Sequence, residues 1–296
     1  YKRQGISISM LTGQNGILKR AAEAKEKTKQ SQAEELSALS ELENQMNNYQ
    51  DDGFDTQKGV NRPQLTSGMT RIMYEEPENG KNGKVIKDGE TGFSTDWYDY
   101  SSKKWANVMT KDGSMWVWIP RFNAVTPSNY NGGTKALPNA IDVTFVKQNE
   151  TAIDAFTFGT KQLSGFWYGK FEIGGTLASP CTNETCNVSN IVVKPNVSSL
   201  RSQKVSSFFF ASRSMEQPGN SFGFVSTEVD THMSKNNEWG AVAYLTQSIY
   251  GRCTNGTTCS EVYINNSSGY YTGRSGGNVG GSTPRNGTYT DQTSTT

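Results

Sequence analysis

The sequence predicts an α+β protein in which a long N-terminal helix precedes a β-rich domain. Residues 17–48 contain no Gly or Pro and are rich in Ala, Glu, Lys, Gln and Leu, which favour helices. From residue 113 onward, short aromatic-rich blocks alternate with turn residues, a pattern typical of β-strands. A later segment, 233–251, again has apolar residues at helical spacing.

The predicted helix carries a narrow apolar stripe. Leu36, Leu39 and Met46 lie on one face, and Ile17 and Ala21 form a similar face earlier in the segment. A narrow stripe on a polar helix is buried only against a partner surface, so we predict that these five residues form an assembly face. A solvent-exposed spacer helix is the alternative.

Four regions follow from the composition. The helix, with the residual end of an anchor, occupies 5–48, and a β-rich linking region occupies 49–112, where repeated Asn-Gly and Asp-Gly pairs favour hairpin turns. The main domain occupies 113–273. Residues 274–296 are rich in Gly, Ser and Thr and are predicted to form a loop or tail.

Within the main domain we predict both strands and a helix. Trp116 and Trp118 alternate along one block, and Phe166 and Tyr168 along another, so each block is expected to bury at least one face. The predicted strand blocks are 115–122, 141–146, 163–175 and 208–215. The helical segment 233–251 carries Trp239, Val242, Ala243, Leu245 and Ile249 at helical spacing and is predicted to end at Gly251.

Charge and composition disfavour several classes of function. The chain has 296 residues and a formal net charge of +1, which gives no broad basic face for a nucleic-acid backbone, so no nucleic-acid partner is predicted. It has one His and no metalloprotease, phosphate-loop or dinucleotide motif, which disfavours most common enzyme classes. No run of about 18 apolar residues is present for crossing a bilayer.

The N-terminal residues resemble a known family. Residues 5–35, GISISMLTGQNGILKRAAEAKEKTKQSQAEE, closely resemble the stretch that follows the membrane-embedded half of the first helix in pilin-like proteins with a prepilin-type N-terminus, particularly those of Gram-positive bacteria. In that family a prepilin peptidase cuts ahead of an apolar helix of about 20 residues, which anchors the subunit and then packs in the filament core. The resemblance implies other pilin-like subunits as partners through this helix.

The first four residues depart from that family. Residues 1–4, YKRQ, place two charged side chains where the apolar helix would continue, and each costs several kcal/mol inside a bilayer. We therefore interpret them as a cloning or assembly scar. The natural protein is expected to be longer and to contact the membrane only through an N-terminal anchor that is missing here.

The main domain has a second resemblance. The blocks GSMWVWIPRF, AFTFGTKQLSGFWYGKFEIGG, FFFASRSM, EVDTHMSKNNEWGAVAYLTQSIYG and EVYINNSSGYYTG resemble the exported domain found behind such N-termini. That domain is similar to the formylglycine-generating-enzyme branch of the C-type-lectin-like fold. There, a GKFE-like strand enters the domain and a helix bearing Glu-Trp, here Glu238-Trp239, packs under it. The block that closes the small sheet in that branch does not follow before Thr296, so truncation is expected at this end too.

The cysteines form two local pairs, Cys181 with Cys186 and Cys253 with Cys259. An even count in an exported protein favours two local disulfides, and a zinc site of four thiolates is the alternative. The oxidase chemistry of the resembling enzyme branch depends on a reactive Cys pair, and the context GRCTNGTTCSE does not match that motif. The resemblance therefore implies the fold and not the activity.

Other polar residues point to no defined chemistry. His232 is predicted to be a hydrogen-bonded structural residue. Glu172, Glu228, Asp230 and Glu238 could supply two carboxylates for glycoside hydrolysis, but no motif singles out a pair, and surface or capping roles are expected. No cofactor or metal is predicted. Ca²⁺ is a lectin-like alternative for which no loop has the required ligand spacing.

Aromatic residues and sequons complete the candidates. Trp and Tyr at alternating strand positions are expected in the core, with stacking on a sugar ring as the alternative. Asparagines that begin an N-x-S/T sequon include Asn183, Asn187, Asn196, Asn255, Asn265, Asn266 and Asn286. In a eukaryotic secreted protein they would signal glycosylation, whereas in a bacterial chain they indicate only Asn/Thr-rich loops.

These expectations combine into a predicted cell-surface, extracellular pilin-like or pseudopilin-like subunit that is not an enzyme. Its helix joins or docks on a filament, and its distal domain presents loops to an extracellular glycan or protein ligand. The first alternative is an extracellular enzyme such as a formylglycine-generating-like oxidase. The second is a minor pseudopilin of a secretion system with no ligand.

Overall fold

The structure is a computed structural model. It describes residues 23, 25–31, 53–75, 84–130, 139–177, 179–195 and 197–259. The chain divides into two compact units, Tyr1–Asp52 and Gly53–Thr296.

Little of the predicted N-terminal helix is described. Residue 23 and residues 25–31 are helical and exposed, and Lys29 lies 3.6 Å from Glu26 in an i,i+3 ion pair. The predicted assembly residues Ile17, Ala21, Leu36, Leu39 and Met46 lie outside the described residues, and so does the predicted tail 274–296. No helix among the described residues is long and apolar enough to cross a membrane.

The largest element of the second unit is a five-stranded antiparallel sheet with the order β11-β6-β5-β3-β4. Its strands are β3 (Thr70–Glu75), β4 (Lys84–Lys87), β5 (Asn107–Met109), β6 (Met115–Pro120) and β11 (Gly165–Gly169). Alternating aromatic residues pair across the strands, and Trp118 lies opposite Trp167 with ring centroids 5.2 Å apart. Such cross-strand pairs stabilise a sheet beyond the area that they bury.

This sheet crosses the boundary predicted at residue 112. Strands β3, β4 and β5 come from the predicted linking region 49–112, whereas β6 and β11 come from the predicted main domain 113–273. Strand β5 joins the two sets, because Val108 pairs with Arg71 on one side and with Trp116 on the other.

Four pairs of short antiparallel strands complete the β structure. They are β1 (Phe54–Asp55) with β2 (Val60–Asn61), β7 (Phe122–Val125) with β8 (Asp142–Phe145), β9 (Thr157–Phe158) with β10 (Lys161–Gln162), and β12 (Gly174–Gly175) with β13 (Ile191–Val192). The predicted blocks 115–122, 141–146 and 163–175 therefore all contain strands.

Two α-helices follow the strands, α1 (Val205–Ser214) and α2 (Asn236–Thr246). The prediction of a strand at 208–215 was wrong, because this block lies in α1. The helix buries Ser207, Ala211 and Ser214, which are small and share one face. Phe208 and Phe210 pack against the second core cluster on either side of that face, and Phe209 is exposed. Helix α2 ends five residues before the predicted stop at Gly251, where a Cβ would come within 2.2 Å of the Thr246 carbonyl oxygen.

The core has two hydrophobic clusters. The first contains Trp118, Tyr100, Phe122 and Phe156, with Leu245 of α2 packed against them. The second gathers Cys181, Ile191, Ala211, Met215 and Phe222 around α1. The described part of the chain is thus a mixed α+β fold in which the sheet and both helices contribute to the core.

Candidate binding surface

One tryptophan differs from the other five. Trp97, Trp105, Trp116, Trp118 and Trp167 are buried in, or packed against, the first core cluster, as the alternation along the strand block predicts for Trp116 and Trp118. Four of their indole N–H groups donate hydrogen bonds to protein oxygens, for example Trp167 Nε1 to the Gln64 carbonyl at 2.7 Å. Trp239 is instead 64% exposed. An exposed Trp on a helix is a candidate contact for a ligand.

The residues that α2 buries explain why Trp239 is exposed. Glu238, Ala241 and Leu245 lie at i, i+3 and i+7 and form the buried face. Trp239 projects from another face, and Tyr244, 41% exposed, lies beyond it around the helix. Between these two aromatics is Gly240, where a Cβ would meet no atom within 4 Å. We call Trp239, Gly240 and Tyr244 the α2 surface.

The sequence placed several apolar residues of the segment 233–251 at helical spacing, but in the structure some of them are buried and others are exposed. Leu245 is fully buried and Trp239 is exposed, while Ile249 lies beyond the end of α2 and is exposed too. Glu238, and not its neighbour Trp239, takes the buried position on this turn of the helix, although its side chain is a carboxylate. It reaches back to accept a hydrogen bond from the Lys235 backbone N–H at 2.8 Å, which caps the helix.

His232 lies between two carboxylates. Its Nε2 is 3.0 Å from Glu238 Oε1, and its Nδ1 is 3.0 Å from both the carbonyl and a carboxylate oxygen of Asp230. Because both ring nitrogens face acceptors, both donate hydrogen bonds when the ring is protonated. The geometry favours the imidazolium form and agrees with the structural role predicted for this residue.

The pKa values of this group follow from those contacts. The hydrogen bond to Glu238 is the largest cause that raises the pKa of His232 above 6.5, and it outweighs partial burial. Burial alone would raise the pKa of Glu238. The hydrogen bonds from His232 and from the Lys235 N–H outweigh it and lower that pKa below 4.5. Each residue of the pair therefore favours the charged form of the other.

Arg213 of α1 ties the same loop to the second core cluster. Its guanidinium contacts Asp230 and donates to the Thr231 carbonyl at 3.0 Å. It also lies 3.1 Å from the buried Glu216, which accepts a hydrogen bond from the Thr231 N–H. The guanidinium and the Thr231 N–H thus supply a counter-charge and a hydrogen bond to Glu216, which offset part of the cost of burying its carboxylate.

Phe158 brings the β9–β10 hairpin to the same place. Its ring lies 5.7 Å from the His232 ring, and Lys235 Nζ lies 3.9 Å from its centroid. A cation over an aromatic face is attracted by the ring quadrupole. Two positive groups thus contact one exposed aromatic ring next to the start of α2.

The predicted carboxylate candidates separate into different places. Asp230 and Glu238 meet at His232, as described above. Glu172 accepts a hydrogen bond from the Ser199 hydroxyl at 2.6 Å, and Glu228 accepts from both the N–H and the hydroxyl of Ser67. In the part of the chain that the structure describes, no group of three or more His, Cys, Asp or Glu residues could hold a metal ion.

The four cysteines form the two local disulfides that the spacing favours. Cys181 bonds to Cys186 and Cys253 to Cys259, so no thiol remains free. In each pair the first cysteine is buried and the loop between the two sulfurs is exposed. The disulfides therefore fix exposed loop tips to the core.

A shallow depression of about 620 Å³ lies beside β12. It is lined by residues 175–177 and 198–203, which are mainly Ser, Thr, Gln and Arg. Small-molecule sites are usually lined by apolar and aromatic side chains with few polar groups. Because Leu177 and Leu200 are also among the lining residues, the depression is mixed in character and defines no ligand class.

No protein-family model, curated protein or solved structure matches this chain. The sequence did not single out the α2 surface, because residue type and spacing do not distinguish an exposed tryptophan from a buried one. The signal that could have found it is the Gly next to Trp239, which leaves one side of the helix open.

Proposed function

We propose that this chain is a pilin-like subunit of the cell surface, whose N-terminal helix assembles with other subunits and whose distal domain presents a ligand-binding surface. The observation that carries the proposal is the N-terminal segment itself. Residues 25–31 are helical and exposed within the stretch that resembles the first helix of such proteins. A polar helix of this kind is stabilised by packing its narrow apolar stripe on a partner.

The distal domain supports an extracellular role. Two disulfides fix exposed loops, and disulfides persist in oxidising compartments. We propose the C-type-lectin-like fold on the basis of the blocks between residues 113 and 273 that resemble it; its sheet also includes β3, β4 and β5 from before residue 113. The order of strands β6 and β11 followed by helix α2 is compatible with that assignment.

A binding role is better supported than catalysis. Both nitrogens of the single imidazole contact carboxylates, and all four cysteines are oxidised, so neither group serves as a nucleophile or base as it stands. The α2 surface instead offers an exposed aromatic face, which stacks on sugars or packs on protein side chains.

Substitutions on the apolar stripe test assembly. Producing cells carry the full chain as wild type, as L36D/L39D, or as S37D, a control position that helical spacing places opposite the predicted apolar stripe. We expect L36D/L39D to be lost from the sheared filament fraction, because a carboxylate in an apolar helix contact is strongly unfavourable. S37D should remain there. Equal amounts of all three variants in that fraction would refute assembly through this helix.

Array binding tests the ligand-binding role. The wild-type full chain is applied to glycan and matrix-protein arrays beside W239A and Y74A, a matched loss of an exposed aromatic on β3. We expect binding that W239A abolishes and Y74A retains. Normal assembly with no binding to any array would favour the ligand-free pseudopilin.

A further inference from the structure

The second disulfide loop contains an asparagine that is followed by glycine. Among the asparagines that the structure describes, only Asn255 has this neighbour. Asn255 and Gly256 are both exposed, and a Cβ at Gly256 would meet no atom within 4 Å. The Gly256 N–H has no hydrogen-bond partner among the described residues. The main-chain nitrogen that follows Asn255 is therefore unhindered and unbonded.

The side-chain carbonyl of Asn255 is polarised by its own loop. Its Oδ1 accepts hydrogen bonds from the Thr257 N–H at 2.9 Å, the Thr258 N–H at 2.8 Å and the Thr257 hydroxyl at 3.2 Å. Three donors on one carbonyl oxygen stabilise negative charge that develops there, as an oxyanion hole does. Cγ of Asn255 is thus activated toward a nucleophile, and the nitrogen that follows it in the chain is that of Gly256.

The first disulfide loop provides a comparison within the same chain. Its sequence CTNET matches CTNGT of the second loop except at one position, where Glu184 takes the place of Gly256. Asn183 Oδ1 accepts two hydrogen bonds, from the N–H and the hydroxyl of Thr185 at 2.9 and 2.8 Å. Glu184 Oε1 lies 3.8 Å from Arg213 Nε in an ion pair. The first loop therefore has one donor fewer, and a restrained side chain follows its asparagine.

We propose that Asn255 is a site of spontaneous deamidation in which Gly256 supplies the nucleophile. The Gly256 nitrogen gives its proton to a solvent base and bonds to Asn255 Cγ, while the electron pair of the carbonyl moves to Oδ1. The Cγ–Nδ2 bond then breaks, and ammonia leaves with a proton from water, which gives a succinimide. Water opens either carbonyl of that ring, so the products are aspartate and isoaspartate. No oxidant, reductant or enzyme is required.

The isoaspartate product changes how the loop is attached to the domain. The Gly256 carbonyl accepts a hydrogen bond from the Ala140 N–H at 2.9 Å, which ties the loop tip to the residues just before β8. Isoaspartate inserts one extra carbon into the main chain ahead of Gly256 and so displaces that carbonyl. Aspartate adds the same negative charge without lengthening the chain. Both products therefore add charge to the loop, and isoaspartate also detaches it from Ala140.

This inference goes beyond the proposed function, because the chemistry needs only the folded loop and water. It does not depend on filament assembly or on a ligand. Since the reaction begins once the chain has folded and has no external catalyst, the modified fraction increases with the age of the molecule. Older molecules at the cell surface are therefore expected to differ from new ones in the charge and attachment of this loop.

Peptide mapping of aged protein decides the proposal. The full chain with intact disulfides is incubated at mildly alkaline pH and mapped by electron-transfer mass spectrometry, which separates isoaspartate from aspartate at each site. We expect both products at Asn255 and unmodified Asn183. G256A should slow conversion at Asn255 several-fold, because a methyl group shields the nitrogen and restricts the backbone. E184G should make Asn183 convert, but more slowly than Asn255, because its carbonyl has two donors instead of three.

Three results would overturn the proposal: no conversion at Asn255, conversion at the same rate at Asn183 of the wild type, or an unchanged rate in G256A. In E184G, a rate at Asn183 equal to that at Asn255 would refute the contribution of the three donors. Mass shifts that persist through reduction of the disulfides show that the change lies on the asparagine.

Amide hydrogen exchange tests the detachment from Ala140. The isoaspartate form, isolated by chromatography, should exchange the Ala140 amide faster than the unmodified chain. Freshly prepared N255D, which adds the charge alone, should keep that amide protected. Equal protection in all three would refute the detachment. A negative result in either experiment leaves the proposed function standing, because neither measures assembly or ligand binding.

Discussion

Replacing His232 with Gln should destabilise the protein most at mildly acidic pH and least at alkaline pH. The imidazolium donates hydrogen bonds to Glu238 and Asp230 at 3.0 Å each, and its side chain is 25% exposed. Hydrogen bonds to charged groups contribute about 1.5–3 kcal/mol each when buried. Partial exposure and the bond that Gln retains reduce the sum, so we expect H232Q to lower the free energy of unfolding by about 2 kcal/mol.

The pH range follows from the two pKa shifts. The folded pKa of His232 lies above 6.5, so its contribution is fully present below pH 6.5 and is lost as pH rises through the folded value. The folded pKa of Glu238 lies below 4.5, so its contribution is present above pH 4.5 and is lost as pH falls through the folded value. The effect of H232Q should be greatest between these limits.

Urea unfolding of wild type and H232Q at about pH 5.5 and about pH 9 measures this difference. E228Q is the control, because it removes a carboxylate that binds Ser67 and does not contact the imidazole. Because the chain has one His, its imidazole proton resonance also gives the folded pKa directly. An equal loss of stability at both pH values, or a folded pKa at or below 6.5, would refute this reasoning.

Four further variants test the packing. R121M should lower the free energy of unfolding in urea by about 3 kcal/mol, because the buried guanidinium donates to three backbone carbonyls that Met leaves unsatisfied. A decrease below about 1 kcal/mol would contradict this. G165A should lower the melting temperature, because its Cβ would lie 2.4 Å from the Trp118 ring. G240A should instead stabilise the protein by up to about 1 kcal/mol, because Gly240 lies in a helix and its added Cβ meets no atom. A stable G165A together with a destabilised G240A would count against the packing described. The C253S/C259S variant should lose about 2 kcal/mol by loop entropy, as measured by thermal unfolding, and an unchanged midpoint would show that the disulfide contributes nothing.

The strands were predictable because their side chains alternate between two faces, so the pattern repeats every two residues along the sequence. Trp116 and Trp118 alternate with smaller residues, and the block around them forms β6. Which strands pair was not predictable, since β5 has the same local pattern whether it joins β3, β6 or neither. Its pairing with both is set by tertiary packing, which also places the sheet across residue 112.

Helix α1 shows the opposite limitation. Three consecutive phenylalanines have high β-propensity and suggested a strand. The decisive residues were the small ones, Ser207, Ala211 and Ser214, which let a helix approach the core closely. Propensity is a weak prior that such packing overrides.

The candidate surface was predictable only in part. The cysteine spacing led to the disulfide pairs, and the lone His was expected to be hydrogen-bonded. Its partner Glu238 is six residues away, across the turn into α2, so their contact depends on a loop path that local periodicity does not encode. The exposure of Trp239 was not predictable either, because capping by Glu238 fixes which side of α2 faces the core.

Immunogold electron microscopy of producing cells tests the pilin-like assignment most directly. With an antibody against the domain that begins at Gly53, the account predicts gold particles along surface filaments in wild-type cells and their loss in L36D/L39D cells. Particles absent from every filament, with the chain recovered only from the medium, would contradict it.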